Sequence, residues 1–150
     1  MEHVSSSITG YEDKLVEFDQ HARATIQRYQ TGNSAFIDPD IPVNDLSNTS
    51  FPKESLIRLR DSSLPIDECL MAITCLIGVW FLDCSHGWWN YIPMTTPQSP
   101  LYLKFGVGVV TGTVFWNAVA AAQDILDGED LSFTEELLTT TITVAQSSPN

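Results

Sequence analysis

The stretch that decides the fold runs from residue 68 to residue 83: Glu68-Cys-Leu-Met-Ala-Ile-Thr-Cys-Leu-Ile-Gly-Val-Trp-Phe-Leu-Asp83. Its uncharged part, Cys69 to Leu82, is 14 residues long and closed by an acid on each side. That is short of the roughly 20 residues that span a bilayer. A helix apolar nearly all round is one that other elements cover. With Pro65 opening it, this helix is expected from about Leu64 to Leu82, at the centre of the protein.

The flanking sequence supplies what covers it. Ile8, Tyr11, Leu15, Phe18, Ala22, Ile26 and Tyr29 recur in steps of three and four, which predicts an amphipathic helix. Thr9 with Glu12 forms a capping-box signature at its start, and Gly32-Asn33-Ser34 stops it. Residues 33–52 are dense in Pro, Asp, Asn and Ser and predict a long loop, with Phe36, Ile37, Ile41, Val43, Leu46 and Phe51 as apolar anchors. Pro52 suits the first turn of a short helix carrying Leu56, Ile57 and Leu59, ending in Arg58 and Arg60.

Beyond the central helix, His86 to Pro93 and Thr95 to Pro100 predict a proline-bounded connection holding Trp88, Trp89 and Tyr91. Leu101 to Leu126 is expected to be a second buried helix, its Gly106, Gly108 and Gly112 tolerated through close packing against a neighbour. Ser132-Phe-Thr-Glu135 is a capping-box signature for a last helix with Phe133, Leu137, Leu138, Ile142 and Ala145 at helical spacing. The β-branched run Thr139 to Val144 leaves a strand as the alternative there. The expected fold is a single all-α domain over 1–150. It is a compact bundle of about five helices with a buried central pair, a long Pro/Asn-rich loop at 33–52 and a frayed tail at 147–150.

Composition narrows the function classes. At 150 residues, 43% hydrophobic and 17% charged, the chain is too apolar for intrinsic disorder. A net charge of −12 argues against gripping nucleic acid through its phosphates. The first thirty residues show no basic segment leading into an apolar run, so no secretory signal is visible and a cytoplasmic location is expected. Cys69, Cys75 and Cys84 are an odd number in the most apolar region, as reduced core thiols would be. Phe105 to Gln123 is the better candidate for a membrane span by length. Asn117, Thr111, Thr113 and the glycines inside it argue against one, and no membrane partner is expected.

Charge is distributed unevenly. Residues 61–150 hold ten acids against one base, Lys104, and so carry most of the net charge. Asp124, Asp127, Glu129, Asp130, Glu135 and Glu136 crowd around the boundary of the last two helices. They read as a docking surface for a more basic protein, against the plainer alternative of a solvated turn with helix-dipole pairing. Trp88, Trp89 and Tyr91 are the aromatic candidates for the same interface, or else cap the open end of the core.

Chemical motifs are thin. A calcium loop centred on Gly128 would put Gln123, Ile125 and Thr134 at ligand positions, which excludes it. Asp124-x-x-Asp127 lacks the second acidic helix that a magnesium-diphosphate site needs. Cys84-x-His86 beside Asp83 invites a nucleophile–base or zinc reading, but neighbouring positions prove little and the Cys and His spacings do not match structural zinc sites. His3 and His21 have no evident partner and are expected to face solvent. Neither a metal nor a cofactor is expected, and enzymatic activity is not favoured. The expected function is an acidic protein-binding domain of the inhibitor, immunity or antitoxin kind. The alternative is a small helical enzyme or carrier enclosing an apolar molecule near Trp88 and Trp89. A homodimer through Gly108 and Gly112 is the third possibility.

Overall fold

The computed structural model describes residues 12–31, 36–91, 107–111 and 114–147. The chain is mostly helical, with helices α1 (Glu12–Gln30), α2 (Lys53–Arg60) and α3 (Ile66–Ser85). After these come strands β1 (Trp88–Tyr91), β2 (Val107–Thr111) and β3 (Val114–Asn117), then helices α4 (Ala118–Leu126) and α5 (Leu131–Ser147). The signals at Ile8, Thr9 and Gly32-Asn33-Ser34, His3, the segment 92–106 and the tail from 148 lie outside the described residues.

α3 is the central element the apolar run demands. Ile73, Cys75, Leu76, Ile77, Val79 and Phe81 are fully buried, and α1, α2, α4, α5 and β2 all pack on it. It is long and apolar enough to cross a membrane by length and composition, but 72% of that stretch is buried inside the protein. Pro65 precedes it, as its fixed φ favours, and His86 ends it in the left-handed region (φ 57°), with the N–H of Gly87 donating to the Leu82 carbonyl at 2.9 Å.

The N-terminal half follows its sequence pattern. Ala22, Ile26 and Tyr29 bury the predicted face of α1, while His21 is exposed. The long loop is anchored as its apolar residues require: Ile37, Ile41, Leu46 and Phe51 are buried, with Phe36 and Val43 packed at the edge. Its backbone is tied to the helices at several points. Gln30 Nε2 donates to the Asp38 and Ile41 carbonyls (2.9 and 2.8 Å). Arg58 Nε donates to the Phe36 carbonyl at 3.0 Å, and Trp80 Nε1 to the Thr49 carbonyl at 2.7 Å. The Asp38 N–H in turn reaches Ser55 Oγ at 3.0 Å. A segment with few ladder bonds of its own is thus held by bonds from its neighbours.

The expected helix from Leu101 to Leu126 does not form as one element. Residues 107–111 and 114–117 are antiparallel strands, and among the described residues of that stretch only Ala118–Leu126 is helical. Val107, Val109, Val110, Thr111, Val114, Phe115 and Trp116 are β-branched or aromatic, and Gly108 adds a helix penalty, so local preference favours a pleated strand. The glycine-first pair Gly112-Thr113 between the strands is a hairpin signal in sequence, although those two residues lie outside the described set.

The aromatic loop at 88–91 is likewise a strand. β1 pairs with β2, giving a three-stranded antiparallel sheet in the order β1-β2-β3. The register aligns Trp89 with Val109 and Val109 with Trp116, and this row lies against α3. Trp116 meets Phe81 edge to face at 5.2 Å, and Trp89 lies over Gly78. Gly108 sits in the middle strand opposite Asn90 and Asn117 and not on a helix, while Gly112, the other residue of the expected homodimer face, lies outside the described residues.

The last two helices are capped differently from expectation. Asn117 Oδ1 accepts from Ala120 N–H at 2.9 Å at the start of α4. α4 closes with a six-to-one bond from Glu129 N–H to the Asp124 carbonyl and a five-to-two bond from Gly128 N–H to the Ile125 carbonyl, both 3.0 Å. Gly128 takes φ 107°, the left-handed sense such an ending requires. α5 begins at Leu131, one residue before the expected Ser132 cap, and it is Asp130 whose Oδ1 accepts from Ser132 N–H at 2.9 Å. Thr139 to Val144 is helical, which removes the strand alternative.

Candidate functional site

The structure sorts the sequence candidates into three places. At the first, α4, the turn around Gly128 and the start of α5 bring the acids of 124–136 onto one corner. Asp124, Asp127, Asp130 and Glu136 are exposed, and Glu129 and Glu135 half-buried. Asp127 caps the end of α4 and accepts weakly from Gln123 Nε2 at 3.3 Å. Lys53 reaches the corner, but its Nζ donates to Ser132 Oγ at 3.0 Å. Among the described residues no ion pair involves any of the six acids.

α5 adds a feature that the apolar spacing conceals. Phe133 and Leu137 are expected on the core side with Leu138 and Ile142, yet they are 59% and 47% exposed. The residues that face inward are Leu131, Thr134 and Leu138. At 100° per residue, Phe133, Leu137 and Val144 fall within about 40° of one another and roughly a third of a turn from the buried face. Val144 is exposed as well, so the helix carries an apolar stripe beginning at the acidic corner. Phase, and not spacing alone, distinguishes the two sets in the sequence.

At the second place, the tryptophan pair divides. Trp89, expected at a partner interface, is core: it is 5% exposed, packs edge to face on Phe18 at 4.8 Å, and donates through Nε1 to Asp19 Oδ1 at 2.7 Å. The strand puts alternate side chains on opposite faces, which is why its neighbour Trp88 is only half-buried. The Tyr91 side chain lies outside the described residues.

The third place is the neighbourhood of Cys84 and His86. An open cleft of about 350 Å³ is lined by Asn44, Asp45, Ser47, Asp83 and His86. Its chemistry is structural. Arg23 Nη1 and Nη2 grip both oxygens of Asp83 at 2.9 Å, Nε meets Asp19 Oδ2 at 3.1 Å, and Nη1 also donates to the Val43 carbonyl at 3.0 Å. Leu46 N–H donates to Asp83 Oδ2 at 2.9 Å. The bond to Asp83 outweighs burial and holds the guanidinium more firmly protonated than usual. Hydrogen bonds from Ser47 hold Asp45 below the ordinary carboxylate range.

The thiols are equally committed. Cys84 Sγ donates to the Leu46 carbonyl at 3.4 Å and Cys69 Sγ to the Leu59 carbonyl at 3.3 Å. Burial pushes the Cys84 thiol up to about 11 and the Cys75 thiol up to about 12, away from the thiolate a nucleophile needs. All three cysteines are buried and none is in a disulfide. Among the described residues no group of three His, Cys, Asp or Glu side chains is placed to hold a metal ion.

The Asp19–Arg23–Asp83 network is what reading the sequence missed. Its one signal is Asp83 ending the apolar run, since a carboxylate beside so much buried surface calls for a partner, and Arg23 lies 60 residues away. The corner and stripe of α4–α5 are therefore the candidate binding surface. Comparison with protein-family models, curated proteins and solved structures gives no match.

Proposed function

We propose that this chain is a non-catalytic protein-binding domain of the inhibitor, immunity or antitoxin kind, whose acidic α4–α5 corner engages a more basic protein. One observation carries the reading: six acids gather on that corner with no cation paired to them among the described residues. The arginines of the other half are engaged close by, with Asp83 and Asp19, the Tyr29 hydroxyl, the Phe36 carbonyl and Asp61. Uncompensated like charge costs self-repulsion, and a field of one sign speeds and selects encounter with the opposite sign. Three buried cysteines, none in a disulfide, fit a cytoplasmic setting.

The test is capture from the native lysate with wild type and with the variant Asp127→Lys/Glu129→Lys/Glu136→Lys, at low and moderate salt. Asp130 is left intact because it caps α5. A basic protein held by wild type, released as salt rises and not held by the variant supports the reading. Equal retention by both proteins overturns it.

A further inference from the structure

We propose that α5 presents a docking ridge for one kind of occupant. That occupant is an amphipathic helix of a partner protein, apolar along one stripe and carrying Lys or Arg at the end that lies over the α4–α5 corner. The inference rests on the protein-binding reading above and names the recognition element. Phe133 and Leu137 lie one helical turn apart on the outer flank of α5 at 59% and 47% exposure, and Val144 continues the same line at 62%. These are the anchor positions by which one helix packs along another. The stripe from 133 to 144 is about 16 Å long, matching about three turns of a partner helix.

Charge decides the occupant. At the N-terminal end of the stripe stand Asp130, exposed, and beyond it the exposed Asp124 and Asp127; Glu136 lies on α5 beside the apolar line. At the other end, the last turn of α5 has no basic residue. A second copy laid antiparallel would bring the acidic corner against that base-free end, and a parallel copy would set corner against corner. Neither pairing brings a cation of α5 to the acids, since the helix carries no Lys or Arg. A helix with basic residues at one end meets both features together.

The probe is a synthetic peptide of about 18 residues, with leucines at i, i+3, i+4 and i+7 spacing and lysines gathered in its last turn. A control has the same composition, with the lysines in place and the leucines scattered around the helix. Binding is measured by fluorescence anisotropy. The expected result is that wild type binds the amphipathic peptide at least tenfold more tightly than the control, and that Phe133→Ser/Leu137→Ser lowers it to the control's level. Both substituted side chains are exposed, so the variant should keep the wild-type circular dichroism. Backbone NMR shifts in unsubstituted protein give an independent reading, with the amphipathic peptide moving residues 133–144.

Equal binding of the two peptides, or full affinity in the Phe133→Ser/Leu137→Ser variant, overturns the ridge while leaving salt-dependent capture by the corner intact. No binding of either peptide to wild type overturns it too, whatever the lysate experiment shows. A wild-type dimer that the double variant converts to monomer makes a second copy the occupant, and also overturns it. Charge-insensitive capture from lysate together with tight peptide binding would instead sink the broader reading of the acidic corner.

Discussion

Around Arg23, opposite charges meet at 2.9 to 3.1 Å, Asp19 from the same helix and Asp83 from 60 residues away, and with the Val43 carbonyl and the Leu46 N–H they hold the α1 helix, the long loop and the end of α3 together. Around Gly128, six acids stand on two helices and a turn with no cation paired to them among the described residues. Both regions flank the same central helix and both are rich in carboxylates. They differ in exposure. The Arg23 and Asp83 side chains are 17% and 11% exposed, so each needs the other, whereas the corner acids are mostly left to water, which solvates them at little cost. Charge in the first region serves the fold; charge in the second is available for a partner.

The sharpest way to break this contrast is to remove Asp83. Asp83→Ala leaves a partly buried guanidinium without its bidentate partner and Leu46 N–H without its acceptor, so a loss of about 3 kcal/mol is expected. Urea unfolding measures it. A change below about 1 kcal/mol would mean that the network is incidental to stability.

Next in size is Gly78→Ala. A Cβ there would overlap the Trp89 ring, so the ring must move or α3 and β1 must separate. Overpacking of this kind costs roughly 2 kcal/mol. Displacing the ring also weakens the bond from Trp89 Nε1 to Asp19, and tryptophan emission should shift to the red. Unchanged emission and stability would place the ring outside the core.

Alkaline pH gives a smaller effect with a defined sign. The Cys75 thiol is raised from 9.0 to about 12 in the fold, so above pH 9 the unfolded chain releases a proton that the folded chain keeps. Stability contributed by the buried thiol is complete below pH 9 and is lost as pH rises toward 12; between pH 8 and 10 the loss is roughly 1 kcal/mol. The difference in stability between wild type and Cys75→Ala should therefore narrow over that interval. A constant difference would show the thiol titrating alike in both states.

At the corner the expected stability effect is the smallest. Asp127→Lys/Glu136→Lys should change unfolding free energy by no more than about 0.5 kcal/mol, since exposed charges contribute little to the fold. The same pair of substitutions should reduce salt-sensitive capture of a basic partner. A large destabilisation would mean that these acids support the structure, and the contrast between the two regions would fail.

Several elements were legible before any coordinates. Local signals name α1, α2 and α3 to within a few residues, because a buried helix face, a proline at a helix start and an unbroken apolar run each report on residues close in sequence. The anchors of the long loop were legible for the same reason: Ile37, Ile41, Leu46 and Phe51 are large apolar side chains in a polar segment. The acids of the α4–α5 corner also lie close in sequence, and exposure was the natural expectation for them.

What the sequence by itself determined is the central helix, the amphipathic cover, the wrapped loop and the imbalance of charge, since each depends on residues within one or two turns of one another. Tertiary structure decided four things. It fixed residues 107–111 and 114–117 as strands, a preference their β-branched and aromatic side chains already carry, by pairing 107–111 with Trp88–Tyr91 and so satisfying backbone groups that no neighbour in sequence reaches. It drew Trp89 inward over Gly78, since which face of a strand is buried depends on what lies across from it. It joined Arg23 to Asp83 across 60 residues, and left Phe133 and Leu137 uncovered, because the phase at which α5 meets the rest of the protein is set by the packing of whole helices.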